Sequence, residues 1–485
     1  MNGPIRRLAL GLFVLFAVLL GAATWVQVVR ADELRTDPRN PRPLLTERGK
    51  ERGLILAADG AVLARSVVDP DDPRSYVRVY PEGEPFAHLV GYTSFLVGDS
   101  GLERSHADLL RSRRDLTLSD LVSAILGRDR APRSIESTVD SELQRLAYEA
   151  LEGQRGAVVA IDPRTGAVLV TVSSPSFDPN MLVGPGAAGN WDALLADDDG
   201  PLRDRATREL FPPGSTFKTV IAAAALDSGF ADPTTEFDDP AMFQLPGSTA
   251  TISNFDGGLC NDGRRVTLQR AFVRSCNTIF ADLGIQLGAE EIGITFDALG
   301  IGGNLELPWT VPPAVFNVTE LAQDSAALGQ SSIGERDVRV NALHMALVAA
   351  TVANDGTVPA PYLVGRIFDV TGSTIDETAP EEMGRAMSTE TAAVLGQLME
   401  RVVTEGTGRR AAVPGVRVAG KTGTASGPEG LAHSWFIGFA PVEAPTIALA
   451  VFVESGGNAG ESATGGSVAA PIASRLFAHW LRPAG

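Results

Sequence analysis

The chain of 485 residues is poor in cysteine and histidine, with two and five of them respectively. Two cysteines cannot form a disulfide-rich scaffold or a cysteine-rich metal site, and the scattered histidines show no paired metal spacing. Basic residues are also in the minority, because 41 Lys and Arg face 59 Asp and Glu, giving a net charge of −18. That charge argues against nucleic acid as a partner. We therefore predict no metal, no other cofactor and no nucleic-acid ligand.

One stretch, Leu8–Val29, contains no charged residue at all and follows Arg6 and Arg7. An apolar helix of about 20 residues spans the hydrocarbon core of a bilayer. We therefore predict a cytoplasmic tail at 1–7, a transmembrane anchor at 8–29 and a single-pass protein of the cell membrane. A cleaved signal peptide is the alternative, because Gly21-Ala22-Ala23 resembles a cleavage site.

The orientation of this anchor does not follow from nearby charge. More basic residues follow the span than precede it, which opposes the positive-inside rule, but long domains are translocated largely regardless of such counts. The expectation that the large domain lies outside the cytoplasm depends instead on the chemistry described below.

The rest of the chain has the composition of a globular protein, with 44% hydrophobic and 21% charged residues. Its length allows two or three domains. We predict a linker and N-terminal module at 30–155, of which 30–45 is the linker, and a second domain at 156–485.

Local patterns predict three elements in the N-terminal module. Asp59-Gly60 lies between two apolar runs and predicts a β-hairpin. Helix-like runs occur at 105–126. The segment 138–151 predicts an amphipathic helix that is capped by Asp140 or Ser141.

The second domain is predicted to begin and end with strands. Two early strands at 157–172 surround the turn Asp162–Gly166. The intervening chain predicts helices at 215–228, 266–273, 277–287, 338–353 and 389–404, with a loop at 183–201 and a turn-rich stretch at 230–262. The last segments predict strands at 416–424, 433–440 and 446–454 and a helix at 469–481. This order predicts an α+β fold whose sheet takes strands from both ends of the domain.

A serine and a lysine begin the first of these helices. Pro212, Pro213 and Gly214 interrupt the backbone, so a helix should start at Ser215 and stop before Gly229. Ser215 and Lys218 are three residues apart and share one face of its first turn. An amine beside an alcohol can activate the oxygen as a nucleophile. A capping serine followed by a surface lysine is the structural alternative.

Two later motifs supply further polar groups. Ser215-Thr-Phe-Lys218 is followed by Ser275-Cys-Asn277 and then by Lys421-Thr-Gly-Thr424. This order matches the Ser-x-x-Lys, Ser-x-Asn and Lys-Thr-Gly motifs of the penicillin-recognising serine acyl enzymes. Each motif is weak alone, but the three in order are a specific signal.

The residue types predict a role for each of these side chains in an acyl transfer. Ser215 is the predicted nucleophile and Lys218 the nearest base, provided that burial and the neighbouring Lys421 lower its pKa. Ser275 could relay a proton to the leaving amine, and Asn277 could bind a substrate amide. Which lysine is neutral during the attack by Ser215 remains open at this point.

The third motif is predicted to bind the other end of the substrate. Lys421, Thr422 and Thr424 offer a positive charge and hydroxyls to a carboxylate, and Gly423 lets the strand edge approach closely. The backbone N–H groups of Ser215 and Thr424 would form an oxyanion hole.

Two rival motifs are weaker. Gly415–Thr422 matches the phosphate-binding motif G-x-x-x-x-G-K-T. Its four variable positions are Val-Arg-Val-Ala, however, a composition typical of a strand. A phosphate-binding loop also needs a helix that starts at the Lys-Thr pair, and Gly423 and Gly427-Pro428 oppose one. His433 could belong to a Ser-His-Asp triad, but it stands at the head of an apolar strand and is more consistent with a structural role.

Cys260 and Cys276 are expected to form a disulfide outside the cytoplasm, with two buried free thiols as the alternative.

The sequence resembles the class B penicillin-binding proteins over nearly everything past residue 29. Beyond the three motifs, similar positions are Arg52-Gly53, Asp59-Gly60, Val62–Ala64, Gly101–Glu103, Thr138–Asp140, Phe177–Asn180, Gly329-Gln330, Asn354–Gly356, Gly406–Gly408 and Trp435–Pro441. The short N-terminal module and the high Ala, Gly and Arg usage resemble the PbpA type of actinobacteria. Cys276 replaces the aspartate that many relatives have at the middle of the second motif.

This resemblance implies a penicillin-binding transpeptidase fold, an antiparallel sheet flanked by helices with an all-helical subdomain, behind a pedestal or dimerisation-type module. It also implies a peptidoglycan D,D-transpeptidase that is acylated at D-Ala-D-Ala of a stem peptide and trapped by β-lactams at Ser215. A RodA/FtsW-type glycosyltransferase is the implied partner. A D,D-carboxypeptidase, a β-lactamase or a non-catalytic penicillin-binding scaffold are the alternatives.

Overall fold

The structure, a computed structural model, describes residues 2–30, 34, 50–73, 75–111, 132–255 and 257–482. Most of the predicted linker at 30–45, and the predicted helix-like runs beyond residue 111, lie outside these ranges. The chain separates into two units, one made of 1–51 with 67–77 and the other of 52–66 with 78–485.

The first unit contains the apolar N-terminal helix. An α-helix, Asn2–Thr24, continues into a π-helical turn, Trp25–Val29. Its large apolar side chains are exposed, and Gly3–Val29 is long and apolar enough to cross a membrane. The predicted anchor at 8–29 is therefore a continuous helical segment.

The described residues between 52 and 137 form six short strands. They are β1 (Ile55–Leu56), β2 (Val62–Val68), β3 (Tyr76–Val79), β4 (Thr93–Ser94), β5 (Gly98–Asp99) and β6 (Ser134–Ser137). β1 and β2 pair antiparallel, and Gly60 in their turn has a φ of +83°, so the predicted hairpin is confirmed. β6 pairs parallel with β1 and antiparallel with the strand Val364–Phe368. A distant segment of the chain thus completes this sheet.

Four short helices are described between β3 and β6. They are Glu84–Phe86 (3-10), Ala87–Val90, Gly101–Ser105 and Ala107–Leu110. The predicted amphipathic helix is Ser141–Ala150, and its cap is Asp140, whose side chain accepts a hydrogen bond from the Leu143 N–H at 2.8 Å. The choice between Asp140 and Ser141 is thereby settled.

A five-stranded antiparallel sheet forms the centre of the following chain. Thirteen further strands are described there: β7 (Gly156–Ile161), β8 (Val168–Ser174), β9 (Glu236–Phe237), β10 (Met242–Gln244), β11 (Thr251–Ser253), β12 (Val266–Thr267), β13 (Thr357–Pro359), β14 (Val364–Phe368), β15 (Thr374–Glu377), β16 (Glu382–Arg385), β17 (Ala419–Ser426), β18 (Ala432–Ala440) and β19 (Ile447–Val453). The central sheet has the order β17-β18-β19-β7-β8. The prediction of one sheet built from both ends of the domain is confirmed.

Helices cover both faces of this sheet because alternate residues of a strand point to opposite sides. Val159 and Ala450 belong to the apolar cluster that includes helices Ala342–Ala353 and Thr389–Thr404. The neighbouring residues Val158 and Val451 belong to a second cluster, which includes helices Ser141–Ala150 and Ala470–Trp480. Since both faces are buried, β7 and β19 contain no polar side chain and show no alternation in sequence.

A helical subdomain lies between the early and late strands. Its helices are Lys218–Asp227, Leu268–Arg274, Asn277–Leu287, Ala289–Ala298, Val318–Leu321 and Ser325–Ser331. Two predicted helices start later than expected. Val266 and Thr267 form β12, and the helix predicted at 338 begins at Ala342, since the Asn341 side chain caps it by accepting from the His344 N–H at 2.9 Å.

One predicted loop was wrong. Residues 183–201 contain a helix, Ala187–Leu195. Gly189 and Asn190 are poor helix formers, so the local sequence favours a loop. Trp191 and Leu194 pack against the apolar core, and this tertiary burial outweighs the local preference.

Candidate active site

The turn that carries Ser215 is pressed against the edge strand β17. A 3-10 turn, Gly214–Phe217, leads into the helix Lys218–Asp227, so the predicted helix begins one residue early and in a tighter form. Gly214 has a φ of +53°, and a Cβ there would lie 2.5 Å from the Thr424 carbonyl oxygen. Gly423 is equally constrained, because a Cβ there would lie 2.7 Å from the Pro213 carbonyl oxygen. Glycine at both positions lets the turn and the strand meet.

Lys218 is fully buried and bonds to the second motif. Its Nζ donates hydrogen bonds to Asn277 Oδ1 at 2.7 Å and to the Ser275 carbonyl oxygen at 2.8 Å. A longer contact of 3.4 Å joins Nζ to Ser275 Oγ. The structure describes no hydrogen bond between Lys218 and Ser215 Oγ; such catalytic contacts often tighten only when substrate binds.

Lys421 approaches the same hydroxyl from the sheet. Its Nζ donates to Ser275 Oγ at 2.8 Å and to the Thr422 carbonyl oxygen at 3.1 Å. Ser275 Oγ therefore lies between two lysine amines, one from each side of the cleft. The three predicted motifs are thus joined by direct hydrogen bonds through Lys218, Ser275 and Lys421.

Burial changes the charge state of both lysines. Desolvation, and then the positive charge of Lys421, hold the pKa of Lys218 well below the ordinary lysine value of 10.5. Desolvation lowers the pKa of Lys421 to about 7. Each Nζ also lies 5.6 Å from the centre of an aromatic ring, Phe280 for Lys218 and Phe272 for Lys421. One of the two amines can therefore be neutral near physiological pH, as a base must be.

The backbone of Ser275 is held in an unusual conformation between two helices. It ends Leu268–Arg274 with φ +62° and ψ +44°, the left-handed region. The next helix, Asn277–Leu287, is capped by a residue that sequence reasoning missed. Asn254 Oδ1 accepts a hydrogen bond from the Asn277 N–H at 2.8 Å, and Asn277 Nδ2 donates to the Ser253 carbonyl oxygen at 3.0 Å. Asn254 lies 23 residues away, so no local pattern reveals it.

A disulfide between Cys260 and Cys276 braces the second motif. Their Cα atoms are 6.2 Å apart. The loop that carries Cys260 is also fixed by Asp239, whose carboxylate accepts from the N–H groups of Cys260 at 2.8 Å and Asn261 at 2.7 Å. Asp239 and the disulfide together restrain Cys276, the residue between Ser275 and Asn277.

The motifs open into a cavity of about 520 Å³. It is lined by Ser215, Ser275, Asn277, Thr422 and Thr424, while Lys218 and Lys421 lie buried behind it. The volume suits a peptide-sized ligand. Thr407, which was not predicted as a site residue, also lines the cavity and forms a hydroxyl–hydroxyl hydrogen bond with Thr422.

The rival motifs do not have the geometry that they would need. Lys421 and Thr422 lie inside strand β17, so no helix starts at them as a phosphate-binding loop requires. His433 is buried in β18, and its Nδ1 accepts a hydrogen bond from the Ser455 N–H at 3.1 Å. Its ring packs against Phe211 and Phe452, which is a structural environment.

Lysine is rare in this chain, and this signal was overlooked. Arginine carries most of the positive charge, and the only lysines are Lys50, Lys218 and Lys421. Two of the three meet at one hydroxyl. Of these two basic side chains, lysine can lose its proton when it is buried, whereas arginine stays charged.

Comparison with known proteins agrees with this geometry. The family described as the penicillin binding protein transpeptidase domain matches residues 156–478, and the penicillin binding protein A dimerisation domain matches 52–135. The peptidoglycan D,D-transpeptidase PbpA of Mycolicibacterium smegmatis is 41% identical over 500 residues, which cover 99% of each chain. The protein of the same name from Mycobacterium tuberculosis is 40% identical over 97% of each chain.

Solved structures give the same result. The ceftriaxone acyl-enzyme complex of penicillin-binding protein A from M. tuberculosis superposes with a TM-score of 0.84 at 38% identity, covering 90% of this chain and all of that one. The penicillin G acyl-enzyme complex of that protein gives a TM-score of 0.82 at 38% identity, covering 89% of this chain and all of that one. The resemblance drawn from the motifs is confirmed, and the chain belongs to the class B penicillin-binding proteins, the transpeptidases that carry a penicillin-binding protein dimerisation domain.

Proposed function

We propose that this chain is a peptidoglycan D,D-transpeptidase that cross-links stem peptides through an acyl-enzyme at Ser215 and is inhibited by β-lactams. The observation that carries the proposal is the hydrogen-bonded series Lys218–Ser275–Lys421 at the cavity that Ser215 lines. Relatives of nearly identical length bear this activity in their names, and a structural relative forms acyl-enzymes with β-lactams.

Lys218 is the base in the acylation step. Ser215 Oγ bonds to the carbonyl carbon of the penultimate D-Ala and passes its proton to the neutral Nζ of Lys218. The bond to the terminal D-Ala breaks, and its nitrogen takes a proton from the Ser275 hydroxyl, which Lys421 replenishes. The lowered pKa of Lys218 supports this assignment.

Transfer to the acceptor reverses these proton movements. The amine of a neighbouring stem attacks the acyl carbon and loses a proton through Ser275 to the neutral Lys421. Ser215 Oγ leaves and recovers its proton from Lys218. Both lysines therefore end in the state in which they began.

The remaining site residues hold the substrate. Thr422 and Thr424, backed by Lys421, bind the terminal carboxylate, and Asn277 binds a peptide amide. The N–H groups of Ser215 and Thr424 form the oxyanion hole, in which one donor is typically worth about 3–4 kcal/mol. The close packing of Gly214 on Thr424 supports this pairing.

Fluorescent penicillin labelling of the wild type against Ser215→Ala tests the nucleophile. We expect the wild type to be labelled and Ser215→Ala to lose the label completely, because Ser215 carries the attacking oxygen and Ser275, the hydroxyl beside both lysines, serves as the proton relay. Survival of the label in Ser215→Ala would refute the site. Melting curves of both proteins serve as the folding control.

Acceptor dependence separates transpeptidation from its alternatives. A thioester substrate is incubated with and without a D-amino acid acceptor, and the products are quantified. Transfer to the acceptor is expected. Hydrolysis that the acceptor does not affect would instead indicate a carboxypeptidase or β-lactamase, and a penicillin-binding scaffold would leave the cellular phenotype unchanged in Ser215→Ala.

The pH profile of acylation tells the two lysines apart. If Lys421 acts as a charged group, the second-order rate constant for acylation by penicillin falls as pH rises through about 7, where free Lys421 loses its proton. If Lys421 were the neutral base, the same rate constant would rise through that pH. Lys421→Met, which removes the titrating amine, should react more slowly at every pH and should show no fall through pH 7.

The membrane and domain assignments complete the proposal. The helix Gly3–Val29 anchors the chain through 8–29, and the module at 30–155 and the transpeptidase domain at 156–485 lie outside the cytoplasm, where a disulfide is stable. A RodA/FtsW-type glycosyltransferase is the expected membrane partner. Reporter fusions on either side of the anchor test the orientation, and co-purification of the full chain tests the partner.

A further inference from the structure

Three arginines line the active-site cavity in addition to the residues of the three motifs. Arg274 ends the helix Leu268–Arg274, directly before Ser275. Arg409 and Arg410 lie in the 3-10 turn Arg409–Ala411, which begins two residues beyond Thr407. The arginines therefore reach the cavity from two sides, the helical subdomain and the chain that packs on β17.

The positive charges of these three arginines are not paired with any carboxylate that the structure describes. Among the described residues, no carboxylate lies within 4 Å of Arg274, Arg409 or Arg410, in contrast to Arg417, which pairs with two glutamates. Arg409 donates to the Glu405 carbonyl oxygen at 3.0 Å and Arg410 to the Ser467 carbonyl oxygen at 3.3 Å. Each guanidinium has five donors, so most remain available to a ligand.

The surrounding charge makes this cluster unusual. The chain as a whole carries −18, yet the described lining of the cavity includes one carboxylate, Glu335, against three arginines. That carboxylate accepts a hydrogen bond from the Ser426 N–H at 2.9 Å. A cleft lined by one sign of charge attracts a ligand of the opposite sign.

Apolar side chains occupy another part of the same lining. Phe255 and Leu259 are 74% and 43% exposed and both face the cavity. Exposed apolar groups beside guanidinium groups suit a ligand that has an aliphatic stem and an anionic end.

We propose that Arg274, Arg409 and Arg410 form a subsite for a second carboxylate of the stem peptide, carried on an aliphatic side chain and distinct from the terminal carboxylate. This inference rests on the proposed function and specifies its substrate class. Planar guanidinium groups bind carboxylates in a bidentate manner, and Thr422 and Thr424 already serve the terminal carboxylate.

The test compares two thioester peptides that differ in one group. Both keep the terminal carboxylate, but the side chain of the residue before the penultimate D-Ala ends in a carboxylate in one and in its amide in the other. The second-order rate constant for acylation of Ser215 is measured for the full-length wild type, Arg274→Gln and the double variant Arg409→Gln/Arg410→Gln. Arg164→Gln is the matched control, since Arg164 is exposed and outside the cavity.

We expect the wild type and Arg164→Gln to prefer the carboxylate peptide by roughly tenfold or more, and the cavity variants to reduce this ratio towards one. Penicillin labelling of all variants should stay as in the wild type. An equal rate for both peptides in the wild type would overturn the subsite, as would an equal loss on both peptides in the variants, which would assign the arginines to the terminal carboxylate. Failure of the proposed function is distinguishable, because penicillin would then still label Ser215→Ala.

Discussion

Lys218→Gln is expected to slow acylation of Ser215 by penicillin by about 10³-fold or more. Positioned general bases typically contribute 10²–10⁴-fold, and a glutamine amide in place of the Lys218 amine cannot take the proton of Ser215. Glutamine has nearly the length of lysine, and its amide can still donate to Asn277 Oδ1 or the Ser275 carbonyl oxygen, the two close acceptors of Lys218. Stopped-flow or gel-based acylation kinetics measure the effect.

Lys50→Gln is the control for this substitution, since Lys50 is the one lysine of the chain outside the motifs. It should acylate at the wild-type rate. The amide replaces a buried neutral amine and keeps its hydrogen bonds, so the melting temperature of Lys218→Gln should stay near that of the wild type. Acylation of the folded variant within a factor of about ten of the wild type would show that Lys218 is not the base.

Glu103→Gln is expected to reduce the free energy of unfolding by about 3–5 kcal/mol. Glu103 is fully buried and joins two arginines: Oε2 lies 2.6 Å from Arg52 Nη2, and Oε1 lies 2.5 Å from Arg78 Nε. Burial alone would raise the pKa of Glu103, but Arg78 and Arg52 outweigh it and lower that pKa. Glutamine would remove the carboxylate charge that the buried Arg78 and the largely buried Arg52 share.

Glu136→Gln provides the matched comparison. Glu136 pairs with Arg366 at the same distance of 2.6 Å, but both side chains are partly exposed, at 26% and 33%. Such a surface pair contributes about 0–1 kcal/mol. Urea denaturation of the two variants should therefore differ clearly, and equal losses would contradict a structural role for the buried Glu103 cluster.

Local sequence was a good guide where one short segment contains the whole signal. The Asp59-Gly60 hairpin needs only a residue that accepts positive φ between two apolar runs, and the cap at Asp140 needs only a carboxylate at the start of a helix. The helix at 187–195 was missed because its own residues disfavour it, and the packing of Trp191 and Leu194 comes from chain far away in sequence. The joining of β14 to β6 was also out of reach, because it pairs segments about 230 residues apart.

The active site shows the same difference between what a local sequence pattern predicts and what tertiary packing decides. Ser215, Lys218, Ser275, Asn277 and Lys421 could be named from the sequence, because each chemical role demands a particular residue type at a particular spacing. The sequence by itself determined the reaction class in this way. Only the tertiary structure decided that Ser275 Oγ lies between two buried amines, that Asn254 caps the helix of Asn277, and that three arginines meet in one cavity. Burial and distance set the pKa values and the local electric field of the site, and both arise when folding joins distant segments, such as Ser275 and Lys421, which are 146 residues apart in the chain.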